Sequence, residues 1–252
     1  MFLVPVSAAL LLLAQAHPEL PRHYLCHRAG HLVIDGKLDD AAWQQAPWSE
    51  AFVDIEGSGK AAPRFATRMK MLWDDTNLYI GAELTEPDVW GTLTLHDSVI
   101  FHDNDFEVFL NPSGNSRNYF EFEMNALNTT WDLFLPKPYR ERGRADNSWE
   151  IPGLRSAVSV AGTLNRPGDT DRGWSLEIAF PWSSFRDRSG IGRPDAGAQW
   201  RVNFSRVEWK TEVIGGHYSK LPGREDNWVW SPQGVVDMHR PEKWGYVRFV
   251  AP

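Results

Sequence analysis

Two neighbouring stretches of the chain, residues 103–110 and 119–125, carry acidic side chains at alternate positions. The segment between them, Asn111-Pro112-Ser113-Gly114-Asn115, has the composition of a turn, so the two stretches are predicted to form adjacent antiparallel strands. Side chains on a strand alternate between its two faces, which places the apolar residues on one face and the polar residues on the other. The polar face then carries Asp105, Glu107, Glu121, Glu123 and Asn125.

Like charges that face each other across a strand pair are destabilising, so this polar face requires a partner. Three kinds of partner fit: an arginine from a third strand, a metal ion, or a ligand rich in hydroxyl groups. Arg201 and Arg206 lie on a predicted strand, 200–209, and the arginine explanation is favoured because the sequence holds no complete calcium-binding loop. Calcium is the candidate ion for the second explanation, with Asp103 and Asp105 as its oxygen ligands.

A ligand rich in hydroxyl groups, such as a sugar, can also be bound by aromatic residues. The 252 residues include 13 tryptophans, and a flat aromatic ring packs well on the apolar C–H face of a pyranose. Most of these tryptophans are predicted to be core residues of a β-sheet protein. Trp131 and Trp228 are candidates for sugar stacking, whereas packing in the core or at a corner is favoured for Trp230, which precedes Ser231-Pro232.

An enzyme that cleaves glycosidic bonds needs two carboxyl groups on either side of the bond. Glu107 with Glu121 or Glu123 is the candidate pair, but adjacent strands would present these side chains in the same direction. The sequence contains no Gly-x-Ser-x-Gly or His-Glu-x-x-His motif. Binding is therefore favoured over catalysis, with glycoside hydrolysis as the alternative.

Composition and charge limit the classes of partner that the protein can bind and the cellular compartments in which it is expected. A formal net charge of −7 argues against nucleic acid and anionic membranes. Residues 1–16 are predicted to be a signal peptide cleaved near Ala16, and no other stretch is apolar enough to span a membrane. The single cysteine, Cys26, cannot form an internal disulfide, which favours a bacterial periplasm or surface over a eukaryotic secretory route. Residues 17–252 are predicted to be one secreted or periplasmic domain, and a monomer.

Short alternating segments separated by turns predict an all-β fold, a single antiparallel sandwich of jelly-roll type with short helical turns. Helical turns are predicted at 40–46, with Asp39 as the cap, and at 181–185, and the irregular stretch 135–156 is predicted to be a surface loop. Besides the pair described above, the predicted strands are 32–34, 64–73, 78–84, 157–160, 174–180, 200–209 and 244–250.

Several motifs occur in a recognisable order. They are Ile34-Asp35-Gly36 with Asp39 and Trp43, Leu72-Trp73-Asp74-Asp75 with Leu78-Tyr79, Glu107-Val108-Phe109 with Pro112, Gly173-Trp174 with Glu177 and Pro181, and Trp230-Ser231-Pro232 with Gly245. This set, covering about residues 31–250, resembles family 9 carbohydrate-binding modules, first known from xylanases, within the DOMON-like superfamily. The resemblance implies an antiparallel β-sandwich, a carbohydrate ligand, a role accessory to polysaccharide catabolism, and calcium as a candidate ion.

The same resemblance implies positions for the ligand contacts. In xylanase-attached members two tryptophans clamp a terminal sugar; Phe101 stands where the first is expected, and Met238 and His239 stand near the second. Glu107 matches the acidic ligand contact and Asn125 a polar contact, whereas Glu123 replaces a common arginine. The pocket is therefore expected to persist with an altered clamp. Because some DOMON-like domains hold haem, Met238-His239 with Met69 and Met71 form a further alternative site.

Overall fold

The computed structural model describes residues 20–251, so the predicted signal peptide lies outside the described residues. Strands dominate this part of the chain, and two short helices, α1 (Ala41–Gln45) and α2 (Ser183–Ser189), interrupt them. The strands are β1 (His23–Arg28), β2 (Val53–Asp54), β3 (Thr67–Trp73), β4 (Asn77–Thr85), β5 (Asp105–Asn111), β6 (Tyr119–Asn125), β7 (Thr130–Leu135), β8 (Arg155–Ala161), β9 (Gly173–Pro181), β10 (Gln199–Glu208), β11 (Thr211–Ile214), β12 (His217–Lys220), β13 (Asp226–Val229) and β14 (Gly245–Phe249).

The strands form two layers that share β1. One layer runs β7-β6-β5-β10-β14-β1, and the other runs β1-β3-β4-β9-β8. The first part of β1, His23–Cys26, pairs with β14, whereas His27 and Arg28 pair with β3. The antiparallel β-sandwich is therefore confirmed, with one difference. Strand β1 is parallel to both of its neighbours, which allows it to leave one layer and enter the other.

The core lies between the layers, and the alternation in β5 and β6 explains which side chains fill it. Phe106 and Val108 face inward with Phe122, as the two-residue period predicts. The ring of Phe122 meets that of Phe180 on β9 edge to face, with centroids 5.2 Å apart. This contact joins the two layers, so the polar side of β5 and β6 lies on the outer face of the sandwich.

Glu177 on β9 ties the first sequence motif to the sandwich. Its carboxylate accepts the indole N–H of Trp43 at 2.6 Å and the backbone N–H groups of Asp35 and Gly36, each at 2.8 Å. Gly36 has φ +86° and lies so close to β8 that a Cβ would come within 2.5 Å of the Val158 carbonyl carbon. The Ile34-Asp35-Gly36 and Gly173-Trp174 motifs thus form one structural anchor.

Two local predictions are wrong. Residues 32–34 form no strand, and the backbone N–H of Val33 donates instead to the Asp40 carboxylate at 2.8 Å. The cap of α1 is Asp40 rather than Asp39.

Within residues 20–251 there is also no helix with the length and apolar character needed to cross a membrane.

Candidate functional site

A cavity of about 380 Å³ opens on the outer face of the first layer, within the range of small-molecule sites. Strands β5 and β6 form its floor, β7 forms one side, and the segment 236–239 forms the other. Seven of the residues predicted from the sequence to bind ligand line it together: Phe101, Glu107, Glu121, Glu123, Trp131, Met238 and His239.

The floor is a set of buried carboxylates. Glu107 lies directly opposite Glu123 in the β5–β6 pair, and Asp105 lies one step further along β5 on the same face, opposite Asn125. Asp105, Glu107 and Glu123 are 0%, 5% and 2% exposed, and one carboxylate oxygen of each lies within 4.8 Å of the others. Three carboxylates therefore converge at the base of the cavity.

Burial controls the protonation of this floor. It raises the pKa of Glu107 to about 7. Burial, together with the negative charge of Glu107, also raises the pKa values of Asp105, Glu121 and Glu123 well above the usual range. The causes are the loss of hydration and like-charge repulsion, so this floor would be stabilised by a positive or hydrogen-bond-donating group.

One wall of the cavity is aromatic and rigidly attached. Trp131 lies opposite Glu123 in the β6–β7 pair, and its ring centroid is 6.4 Å from that of Phe101. The backbone N–H of Phe101 donates to Oε2 of Glu123 at 3.0 Å, and its carbonyl accepts the indole N–H of Trp209 at 2.9 Å. These bonds hold Phe101 beside the carboxylates.

The opposite wall is built around His239. Its ring meets that of Tyr139 edge to face, with centroids 4.4 Å apart, and its Nδ1 lies 3.0 Å from the Tyr119 hydroxyl. Arg140 donates to the carbonyl of His239 and, at 2.8 Å, to Glu242. Burial lowers the pKa of His239 to about 4, so this imidazole is neutral at pH 7 and offers the cavity an aromatic ring.

The arginine explanation for the acidic face is wrong. Ser205, not Arg206, lies opposite Glu107 in the β5–β10 pair, so Arg206 points to the other face, between the layers. Its guanidinium forms ion pairs there with Glu86 at 2.7 Å and Glu208 at 2.8 Å. Arg201 donates to the carbonyl of Trp244 and stacks over Tyr246.

Trp228 is also misplaced by the sequence prediction. It lies opposite Arg206 in the β10–β13 pair and is 3% exposed, with the guanidinium carbon of Arg206 5.2 Å from its ring centroid. A residue opposite Arg206 shares its face, so Trp228 is a core residue. Trp230 is buried as well, in agreement with the preference for core packing.

Asn125 and Asp103 have structural partners that occupy their polar atoms. Asp103 accepts hydrogen bonds from the Thr92 backbone and hydroxyl, the Leu93 backbone and the Asn125 amide, at 2.7–3.0 Å. Asn125 also donates to the Leu93 carbonyl and accepts from the backbone of Leu127 and Thr129. Both side chains fix the loop beside the cavity. The carboxylate oxygens that converge with Asp105 are those of Glu107 and Glu123, not those of Asp103.

Sequence reasoning missed part of the lining. Tyr139 comes from the irregular stretch 135–156, whose length was the only signal that it could be functional. Glu225 and Asn227 reach the rim from β13 and the preceding turn, and no motif pointed to them. The haem alternative loses two of its ligands, because Met69 and Met71 are buried in the core between the layers.

Comparison with known proteins agrees with this architecture. The sequence profile described as "Carbohydrate family 9 binding domain-like" matches residues 34–199. Endo-1,4-beta-xylanase A of Thermoanaerobacterium saccharolyticum is 29% identical over 163 residues, which are 64% of this chain and 12% of that protein. The chain thus spans about an eighth of the length of this xylanase.

Solved structures show the same fold. A family 9 carbohydrate-binding module from Caldicellulosiruptor kristjanssonii, solved with cellotriose, superimposes with a TM-score of 0.61 at 16% identity over 92% of this chain and 95% of that one. A Bacteroides uniformis protein gives a TM-score of 0.66 at 19% identity over 90% of this chain and 99% of that one. With the profile match extending over most of the sandwich, the chain belongs to the carbohydrate family 9 binding domain-like family.

Proposed function

We propose that the protein binds a mono- or oligosaccharide in the cavity above Glu107 and Glu123. The observation that carries the proposal is the arrangement of buried carboxylates between two aromatic walls, Phe101 with Trp131 on one side and Tyr139 with His239 on the other. Sugar hydroxyls donate to carboxylates, and the apolar C–H face of the ring packs against aromatic side chains. A sugar seated here would satisfy both kinds of surface.

Relatives support the choice of ligand class. The Caldicellulosiruptor module has been solved with cellotriose and with glucose. The xylanase relative acts on a polysaccharide, and we propose a role accessory to polysaccharide breakdown for this chain. The apolar leader in residues 1–16 supports export, to the periplasm or the outside of the cell, as part of the same proposal.

The floor favours binding over bond cleavage. A glycosidase places its two carboxyl groups on opposite sides of the scissile bond. Glu107 and Glu123 instead lie side by side on neighbouring strands and face the cavity from the same side. A sugar above them would donate hydroxyl hydrogen bonds to these carboxylates, or share a cation with them, on one face only, which is the geometry of a recognition site.

A glycan array followed by titration calorimetry tests the proposal, with neutral, acidic and amino sugars and with glucose and cellotriose. Stacking combined with a few hydrogen bonds gives affinities from about 1 mM to about 1 μM. We expect at least one sugar in that range, and a Glu123→Gln variant that binds it more weakly. Absence of binding across the panel, both with and without Ca²⁺, would overturn the proposal.

A further inference from the structure

The carboxylate floor lies in a cavity in which His239 is the one basic side chain among the described lining residues. Glu107, Glu121, Glu123, Glu225 and Asp237 all line it, and the described lining residues include no lysine or arginine. The two arginines on the adjoining strand, Arg201 and Arg206, are engaged elsewhere. Ionising these buried carboxyl groups together requires a positive partner, and the residues that line the cavity within 20–251 do not supply one.

A second observation points to an ion rather than to a hydrogen-bonded floor. Asp105 is fully buried, and although its Oδ1 accepts the backbone N–H of Val207 at 2.9 Å, its Oδ2 has no hydrogen-bond partner among the described residues. Oε2 of Glu121, at the cavity, has none either. An unpartnered buried carboxylate oxygen is costly, and a sugar cannot reach Asp105 beneath Glu107 and Glu123 because Asp105 does not line the cavity.

We propose that Asp105, Glu107 and Glu123 bind one Ca²⁺ at the base of the cavity, and that two hydroxyl groups of the sugar, together with water, complete its coordination. The second half of this inference rests on the proposed carbohydrate function. The ion would be held from below by three carboxylates and would face the aromatic walls. Sugar recognition would then be calcium-dependent.

The donor chemistry selects calcium. The three ligands offer only carboxylate oxygens, which hard cations prefer, and the triad contains no histidine or cysteine to favour zinc. Calcium binds oxygens at about 2.3–2.6 Å, so oxygens up to 4.8 Å apart can contact one ion. Calcium takes 6–8 ligands in flexible geometry, which leaves positions for sugar hydroxyls, whereas Mg²⁺ requires near-ideal octahedral geometry and retains its waters.

The metal site is tested first without any sugar. Chelator-treated wild-type protein is titrated with Ca²⁺ and separately with Mg²⁺ by calorimetry, beside Asp105→Asn, Glu123→Gln and the control Glu212→Gln, which removes one charge from the exposed hairpin strand β11. We expect one Ca²⁺ per chain, weaker Mg²⁺ binding, a loss of Ca²⁺ affinity of at least about tenfold in the first two variants, and no change in the control. Wild-type protein that binds no Ca²⁺, or cluster variants that bind it normally, would overturn the inference.

Terbium luminescence locates the ion without changing any of its proposed ligands. Trp131 lies opposite Glu123, so its excitation should sensitise Tb³⁺ bound at the triad, and Ca²⁺ should quench the emission by displacement. Trp131→Phe should lower the sensitised emission. Emission that Trp131→Phe and Trp209→Phe together leave at the wild-type level would place the ion elsewhere.

Sugar binding is then measured in Ca²⁺ and in excess chelator. The inference predicts that affinity for the sugar identified by the array falls at least about tenfold in chelator. Equal affinity in both buffers would overturn the shared site while leaving the carbohydrate function intact. Tight Ca²⁺ binding with no sugar bound would instead overturn the function and support the metal triad. Glucosamine binding that chelator strengthens would show that a cationic sugar, not calcium, neutralises the floor.

Discussion

Glu107 on β5 and Glu123 on β6 lie directly opposite each other, and both side chains are buried at the base of one cavity. Facing like charges across a strand pair cost up to about 1 kcal/mol. A chain that keeps this arrangement gives up stability for a site that attracts positive or hydrogen-bond-donating groups. Stability and binding should therefore respond in opposite directions to removal of one charge.

Glu107→Gln tests that opposition. In chelator, at an alkaline pH where both glutamates are ionised, the melting temperature should rise by up to about 2–4 °C, because one of the two facing charges is removed. Affinity for the sugar should fall about tenfold or more, since a hydrogen bond to a charged group contributes about 1.5–3 kcal/mol. Thermal unfolding and calorimetry measure the two effects. A variant that is less stable and binds normally would assign Glu107 a structural role.

Arg206→Met should destabilise the fold while sparing the cavity. The change leaves Glu86 and Glu208 buried without their cation, which costs about 3–5 kcal/mol. The matched control is Arg68→Met, which breaks an exposed pair with Glu83 and should cost less than about 1 kcal/mol. Urea unfolding compares the two. Similar losses in both variants would show that the buried cluster is not specially dependent on Arg206.

Glu177→Gln should weaken the anchor between α1 and β9. A glutamine keeps one acceptor oxygen but turns an amide donor toward either the indole N–H of Trp43 or the two backbone N–H groups of Asp35 and Gly36. Buried donors left without an acceptor cost about 1–3 kcal/mol, and affinity for sugar should not change at temperatures where the variant is folded. Unfolding midpoints measure the loss against Glu83→Gln. Unchanged stability would mean that water replaces the lost acceptor.

Asp132→Asn should alter how stability depends on pH. Burial raises the pKa of Asp132 to about 7, so between about pH 4 and 7 the folded chain holds a proton there that the unfolded chain releases. Stability therefore falls as pH rises through this window, and replacing the carboxyl removes that contribution. The stability of Asp132→Asn relative to wild type should increase from pH 4 to pH 8.

Asp132 has charged neighbours that also titrate, so this measurement needs a control. His96 lies 3.5 Å from Asp132 and also contacts Asp97 and Glu150. Burial opposes its charged form, but the hydrogen bond to Glu150 and the nearby carboxylates outweigh burial and raise the pKa of His96. Asp97 and Glu150 remain in Asp132→Asn, but His96 loses the charge of Asp132, so the comparison is repeated in a His96→Gln background to isolate Asp132. The exposed change Asp39→Asn should show no such slope, and a flat difference for Asp132→Asn would contradict the prediction.

The two-residue period of β5 and β6 allowed the acidic face to be predicted from sequence, because alternation fixes which side chains share a face. Alternation also excludes Arg206 from the acidic face, but only once the register of β10 against its neighbours is known. The sequence does not provide that register. The position of Arg206 opposite Trp228, one step from Ser205, depends on how β10 pairs with β5 and β13. Strand pairing between distant segments is a tertiary property, and local patterns specify it poorly.

The two aromatic walls of the cavity also differ in how far the sequence predicts them. Trp131 and Phe101 were found because they flank the acidic strands or match a family position, whereas Tyr139 belongs to an irregular segment that no periodicity describes. It packs against His239, and the next residue, Arg140, ties that segment to residues 239 and 242. Contacts of this kind depend on single long side chains across about 100 positions in sequence, so they emerge only in the folded chain.

The central claim is that the cavity between Trp131 and His239 binds a sugar, and a paired calorimetric titration tests it most directly. The sugar identified by the array is titrated into wild-type protein, Trp131→Ala and Trp48→Ala, a half-buried tryptophan stacked on Arg68 outside the cavity. Loss of an aromatic contact of about 1–2 kcal/mol should weaken binding about 5- to 30-fold in Trp131→Ala, and Trp48→Ala should match wild type. Equal affinity in Trp131→Ala and wild type, with the variant folded, would contradict the account.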